Sequence, residues 1–224
     1  MMTWAELHDL LGGRITNRIE PKVVTNIAPA TSILVALPDG DGYMLATMEW
    51  GVRADWARAL LINAQAEKYT APGRSFWAQF RRCLIPASGF YEWKAVPGGP
   101  KQPMFIANTD RSAFMFAGLC GAGRGPDRTS AEQCVIVTTQ PNSLVAQIHN
   151  RMPAILLPEN YGRWLDPDAP NTAMGAVLTP YPADRLRMYP VSRRVNNVKN
   201  QGPDLVEPVS DAVPGVRIPP RESL

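Results

Sequence analysis

The 224-residue chain is 45% hydrophobic, enough for a substantial core, and carries a formal net charge of +3 from 23 basic and 20 acidic residues. A charge this small neither establishes nor excludes a nucleic-acid partner, so where the basic residues stand matters more than their sum. No apolar run reaches bilayer-spanning length, MMTWAELHDLL has no cationic region ahead of an apolar one, and three cysteines (Cys83, Cys120, Cys134) without CxxC spacing argue against a disulfide framework or a zinc site. The default expectation is a cytoplasmic protein without metal or cofactor.

Thr3-Trp4-Ala5-Glu6 is a capping box that opens a helix with Leu7, Leu10 and Leu11 on one stripe, stopped by Gly12-Gly13. TNIAPA (25–30) is a turn-rich loop. SILVAL (32–37) and YMLATMEW (43–50) flank PDGDG, a strong hairpin signal. LLINAQAE (60–67) reads as an extended segment. SFWAQFRR (75–82) has Ser75 as N-cap and Phe76, Trp77 and Phe80 at helical spacing. CLIPASGFYEWK (83–94) reads as strand, bend at Ser88-Gly89, strand.

PMFIANT (103–109), AFMFAGLC (113–120) and CVIVTT (134–139) are β-rich. A short helix runs from Pro141-Asn142-Ser143 to Ile148, a strand over 154–157, and a short helix over 160–165. After Pro208 two adjacent prolines and the lack of periodicity predict a poorly ordered tail, 209–224, beyond a single domain at 1–208. The fold class is α+β, dominated by antiparallel strands.

A few residues suit chemistry. In a strand, alternation puts Phe90, Glu92 and Lys94 on one face and Tyr91 and Trp93 on the other. Glu92 is then either a partly desolvated carboxyl able to donate a proton or a surface residue paired with Lys94. Asn63 either orients a substrate oxygen or satisfies a turn. His149, one of only two histidines, stands in IHNRMP (148–153), where it is either a hydrogen-bonded histidine closing a helix or a working group. VSRRVNNVKNQG (191–202) mixes amides with Arg193, Arg194 and Lys199, either a polar loop or a phosphate-binding segment; Arg81-Arg82 has the same two readings. The methionines read as core filling.

Taken in order, LINA, GFYEWK, KQPMF, VTT, IHNRMP and VSRRVNNVKN resemble the SOS response-associated peptidase (SRAP) family, over roughly residues 24 to 208. The resemblance implies a distorted antiparallel barrel with short flanking helices and a basic groove for single-stranded DNA carrying abasic sites. It implies that an N-terminal cysteine, exposed by removal of the initiator, condenses with the abasic aldehyde and closes a thiazolidine. Asn63, Glu92 and His149 would position the sugar and move protons. Trp50, Trp56, Gln65, Arg74, Arg81, Arg82, Arg151, Ser192, Arg193, Arg194 and Lys199 would line the DNA path of a monomeric, nucleoid-associated protein.

This sequence departs from that pattern twice. Family members begin Met-Cys-Gly-Arg, whereas this one begins Met1-Met2-Thr3; with Asn63, Glu92 and His149 in place, the expectation is a strand of about 5–6 residues bearing that cysteine ahead of the capped helix. Gln65 stands where the family carries arginine. Two other readings remain: a binder of single-stranded DNA that forms no crosslink, with Trp50 and Trp56 as stacking wedges, and a self-processing cysteine peptidase.

Overall fold

The computed structural model describes residues 2–22, 24–73, 75–124 and 130–209. The predicted tail lies almost wholly outside the described residues, as does Arg74. In chain order the elements are α1 (Trp4–Leu10), β1 (Ser32–Asp39), β2 (Gly42–Trp50), β3 (Asn63–Gln65), α2 (Ala66–Thr70), β4 (Arg81–Ala87), β5 (Phe90–Val96) and β6 (Gly99–Asn108). There follow β7 (Phe114–Arg124), β8 (Ser130–Thr139), β9 (Met152–Pro153), β10 (Ile155–Leu156), α3 (Tyr161–Leu165) and β11 (Leu186–Pro190).

The capping box at α1 is complete. Glu6 N–H donates to Thr3 Oγ1 at 3.2 Å and Thr3 N–H to Glu6 Oε2 at 2.6 Å. The predicted hairpin forms too: β1 and β2 pair from Ser32↔Glu49 to Asp39↔Gly42, leaving Gly40-Asp41 as a two-residue turn with Gly40 at φ 55°.

Five strands close into a barrel in the cyclic order β1-β2-β8-β7-β4. Four of its seams are antiparallel; the fifth, β2 to β8, is parallel through Glu49↔Gln133 and Trp50↔Cys134. The architecture is therefore a mixed barrel with short helices around it. Its strands bury both faces, which is why they read as continuous apolar runs. Val35, Met48, Cys83, Ile85, Phe116, Cys120, Cys134 and Ile136, drawn from all five strands, form the inner cluster. Ala36, Leu45, Leu84, Leu119, Val135 and Val137 face outward under Leu7, Leu11, Tyr69, Trp77 and Trp164. The three cysteines are unpaired and buried.

A second sheet, ordered β11-β6-β5, covers part of the barrel. Its register sets Glu92 opposite Met104 and Phe90 opposite Ile106. Phe90, Ile106 and Leu186 join the inner cluster of the barrel, while Tyr91, Trp93, Phe105 and Tyr189 pack with Val195 and Leu205 on the other face. Gly89 makes the bend before β5 possible: a Cβ there would stand 2.3 Å from Phe105 Cζ and 2.7 Å from the Ile106 carbonyl oxygen.

Three local expectations are corrected. The segment 75–82 is not one helix. Ser75 caps a single 3-10 turn (Phe76–Gln79), and from Arg81 the chain enters the sheet opposite Cys120, because barrel pairing overrides the helical spacing. Phe76, Trp77 and Phe80 still pack together, with ring centroids 4.9–5.5 Å apart. In 60–67 only Asn63–Gln65 is strand, parallel to β8, and Glu67 belongs to α2. The helix expected over 141–148 shortens to a 3-10 turn at Val145–Gln147.

Candidate active site

A cleft of about 2350 Å³ runs between the barrel and the second sheet. It is lined by Asn63, Gln65, Trp50, Glu92, His149 and Arg151 among others, so the three predicted catalytic residues share one cleft. Met2 lines it as well, which brings the start of α1 to the same place.

Each side chain arrives by a separate route. Asn63 opens β3, where parallel pairing with Ile136 of β8 leaves it exposed to the cleft. Glu92 is central in β5. His149 follows the Val145–Gln147 turn, its N–H donating to Val145 O at 2.9 Å. The Glu92 carboxylate and the imidazole then approach to 3.7 Å between Oε1 and Nδ1, with side chains 21% and 43% exposed. Glu92 faces His149, not Lys94. His149 is thus neither a buried helix-closing residue nor remote from the carboxylate.

Burial raises the Glu92 carboxyl above the usual carboxylate range; His149, the Trp93 backbone and Lys101 pull the other way without cancelling it. A carboxyl so placed can hold and give a proton closer to neutrality than an exposed one. His149 Nδ1 meets the Arg151 backbone in both senses, accepting from its N–H at 3.1 Å or donating to its carbonyl at 2.9 Å according to the proton on the ring. Among the described residues no group of three or more His, Cys, Asp or Glu side chains is disposed to hold a metal ion.

The basic residues divide. Arg151 grips Glu67 with both terminal nitrogens, at 2.8 and 2.9 Å. Arg82 is turned into the fold: Nε donates to Tyr69 Oη (2.8 Å), Nη1 to the Trp164 and Asp166 carbonyls (3.2 and 2.7 Å) and Nη2 to the Ala169 carbonyl and Asn171. With every guanidinium nitrogen satisfied and no place on the cleft, Arg82 anchors the 164–171 segment. Arg81 pairs with Glu132 at 3.4 Å away from the cleft, and Trp56, 67% exposed, lies edge-on to Phe76, also away from it. Trp50 lines the cleft but its Nε1 is committed to the Ile62 carbonyl at 3.0 Å.

Ser192 caps the turn Arg193–Asn196, accepting from Arg194 N–H. Arg194 pairs with Asp204; Arg193 and Lys199 are exposed, with Arg193 Nη2 reaching the Pro100 carbonyl at 3.5 Å. The amides of this loop work inside the protein. Asn196 Oδ1 accepts from Trp93 Nε1 at 2.8 Å, and Asn26 Nδ2 reaches the Val195 and Asn197 carbonyls. Gln201 bonds to Thr25 and Asn26, so the start of the 25–30 loop is stitched to this one along the cleft. Sequence reasoning missed Tyr91, whose hydroxyl donates to Thr25 O at 2.7 Å, together with Thr138 and Glu67. Their only signal was adjacency to motifs already noted.

A membrane-spanning helix, long and apolar enough to cross a bilayer, is absent among the described residues. The sequence profile described as SOS response associated peptidase (SRAP) matches residues 3–198. The "Abasic site processing protein YoqW" of Bacillus subtilis (strain 168) is 38% identical over 189 residues, covering 81% of this chain and 84% of its own. The "Abasic site processing protein YedK" of Escherichia coli (strain K12) is 33% identical, covering 85% and 86%. Among solved structures, a phage-related protein from Bordetella bronchiseptica superposes with TM-score 0.65 at 30% identity over 84% of this chain and 90% of its own. With the profile spanning nearly all of the barrel and the second sheet, the chain belongs to the SRAP family.

Proposed function

We propose that this cleft recognises abasic sites in single-stranded DNA. The observation that carries the reading is the convergence of Asn63, Glu92 and His149 with Met2 in one cleft of a chain whose relatives are named for abasic-site processing. An abasic aldehyde is electrophilic at its carbonyl carbon. A terminal amine attacks it, losing water to give an imine; a neighbouring thiol adds across the C=N bond and closes a thiazolidine. The amine must shed protons and the departing hydroxyl must gain one. Glu92, with its raised affinity for a proton, suits the donor's part, and His149, 3.7 Å away, suits the exchange partner's. Asn63 supplies amide hydrogen bonds to the sugar. Holding all these groups together makes the condensation effectively intramolecular.

In the extended protein tested below, the amine and thiol are supplied by a cysteine added ahead of α1, next to the Met2 that lines the cleft. The test adds Met-Cys-Gly-Arg and a family-like first strand before Met1, lets the initiator be removed, and follows crosslinking to an oligonucleotide with one abasic site on denaturing gels. Crosslinking is expected from this protein, reduced to a reversible imine when the new cysteine is serine. A polypeptide of residues 1–224 alone, beginning with methionine, is expected to bind single-stranded DNA in preference to duplex without forming the ring. If the extended protein folds and binds but never couples, non-covalent binding is the function instead. The protein would act as a monomer in the cytoplasm, at the nucleoid.

A further inference from the structure

Arg151 has two connections that meet at the active site. Its guanidinium forms a two-pronged pair with Glu67, which Gln140 Nε2 also reaches at 3.2 Å, and Nη2 bonds to the Thr138 carbonyl. Its backbone N–H and C=O are the groups that face His149 Nδ1. The inner edge of the guanidinium contributes nothing to its placement, since Nε is buried without a hydrogen-bond partner among the described residues. The outer nitrogens alone fix the side chain, and Glu67 takes both of them.

We propose that Glu67 is a positioning residue: through Arg151 it holds the backbone against which the His149 imidazole is oriented toward Glu92. The idea rests on the reading of His149 as a proton-moving group. The protein itself engages the Arg151 fork. The Arg151 side chain is only 19% exposed, and the Glu67 carboxylate meets both of its terminal nitrogens. Glu67 itself stands on the first turn of α2, one residue past the turn from β3, so the strand that presents Asn63 and the helix that tethers His149 are consecutive. A displacement of α2 would therefore disturb both groups together.

The arrangement also explains how one ring nitrogen serves two protonation states. With Nδ1 bare, the Arg151 N–H donates to it; with Nδ1 protonated, the Arg151 carbonyl accepts from it. The ring need not turn between them, provided the Arg151 backbone stays in place.

The chain has only two histidines, so imidazole nitrogen-15 NMR reads the site directly, with His8→Gln assigning the second signal. Wild type is expected to show well-separated Nδ1 and Nε2 shifts for His149, and Glu67→Ala to move them toward those of a freely exchanging imidazole. Glu67→Gln keeps one oxygen for Arg151 and is expected to fall between. In the cysteine-extended protein, Glu67→Ala is expected to slow crosslinking at saturating DNA about 10- to 100-fold, with the dissociation constant for single-stranded DNA changed less than about twofold. Unchanged His149 shifts in a folded Glu67→Ala protein overturn the proposal. So does tighter DNA binding with a steeper salt dependence, which would mean that Glu67 merely blocks a phosphate site. If wild type never crosslinks, the abasic-site reading falls while the NMR result still decides the role of Glu67.

Discussion

The Glu92 carboxylate and the His149 imidazole lie 3.7 Å apart, brought together from a strand of the second sheet and a loop leaving the barrel. Neither sits in the other's element, so their distance is set by how the two sheets pack. That makes the pair sensitive both to chemistry at the carboxyl and to strain in the bend that launches β5.

Glu92→Gln keeps the shape and removes the transferable proton. In the cysteine-extended protein it is expected to slow crosslinking by on the order of 10²–10⁴-fold, with single-stranded DNA binding retained. Time courses at saturating oligonucleotide separate the two effects; a rate within a factor of about two of wild type would remove Glu92 from the proton-transfer role.

The same substitution should change stability in a pH-dependent way. Burial raises the Glu92 pKa in the folded state, so between the unfolded and folded values the folded protein holds more protons, and stability falls as pH rises through that window. Glutamine escapes this cost. Its melting temperature is expected to exceed that of wild type at neutral pH, the difference shrinking toward about pH 4, near the unfolded value. A difference that stays flat across that range contradicts the assignment.

Gly89→Ala is expected to destabilise by about 1–3 kcal/mol, the usual cost of overpacking, because the added Cβ meets Phe105 and the Ile106 carbonyl well inside contact distance. Denaturant melts measure the loss. Crosslinking by the folded fraction should fall as well, since the strand bearing Glu92 must shift; full activity would mean that the bend relaxes elsewhere.

Arg82→Lys is expected to cost about 2–4 kcal/mol, since an ammonium cannot span Tyr69 and the Trp164, Asp166 and Ala169 carbonyls. DNA affinity of the folded variant and its salt slope should be unchanged. A slope reduced by about one would instead give Arg82 a phosphate.

Arg193 and Lys199 stand beside Val195, Asn196 and Val198, which line the cleft. Replacing both with glutamine is expected to lower the slope of log affinity against log salt by about 1–2. Titrations at several salt concentrations report it, and an unchanged slope would take the DNA path away from this loop.

Much of this was readable along the chain because the signals are local. The Thr3–Glu6 box, the turn at Gly40-Asp41 and the alternation at Phe90–Trp93 each depend on neighbours a few residues away. The register Ser32↔Glu49 follows from its turn. The parallel seam at Trp50↔Cys134 follows from nothing nearby, and neither does the early end of the helix at Phe76–Gln79. The basic residues mislead for a related reason: Arg81 and Arg82 are adjacent in a strand, so one points to solvent and the other into the fold, and the sequence does not say which. Glu67 looked like the end of a strand, which hid its helical position and its grip on Arg151.

The parallel seam also has a consequence in time. β8 bonds to β2, β3, β7 and β9, so it is the stave on which the ring closes. A ribosome releases the β1–β2 hairpin and β4 long before it releases β8. Until then the nascent chain holds strands that are apolar on both faces, with bare edges and nothing to seal them, the condition that invites aggregation and chaperone capture. Closure must bring residues 49–50 to 133–134 across the intervening polypeptide, and such long-range pairing is slow. Between synthesis of β2 and arrival of β8 the chain is therefore exposed to aggregation in a way that the closed ring is not.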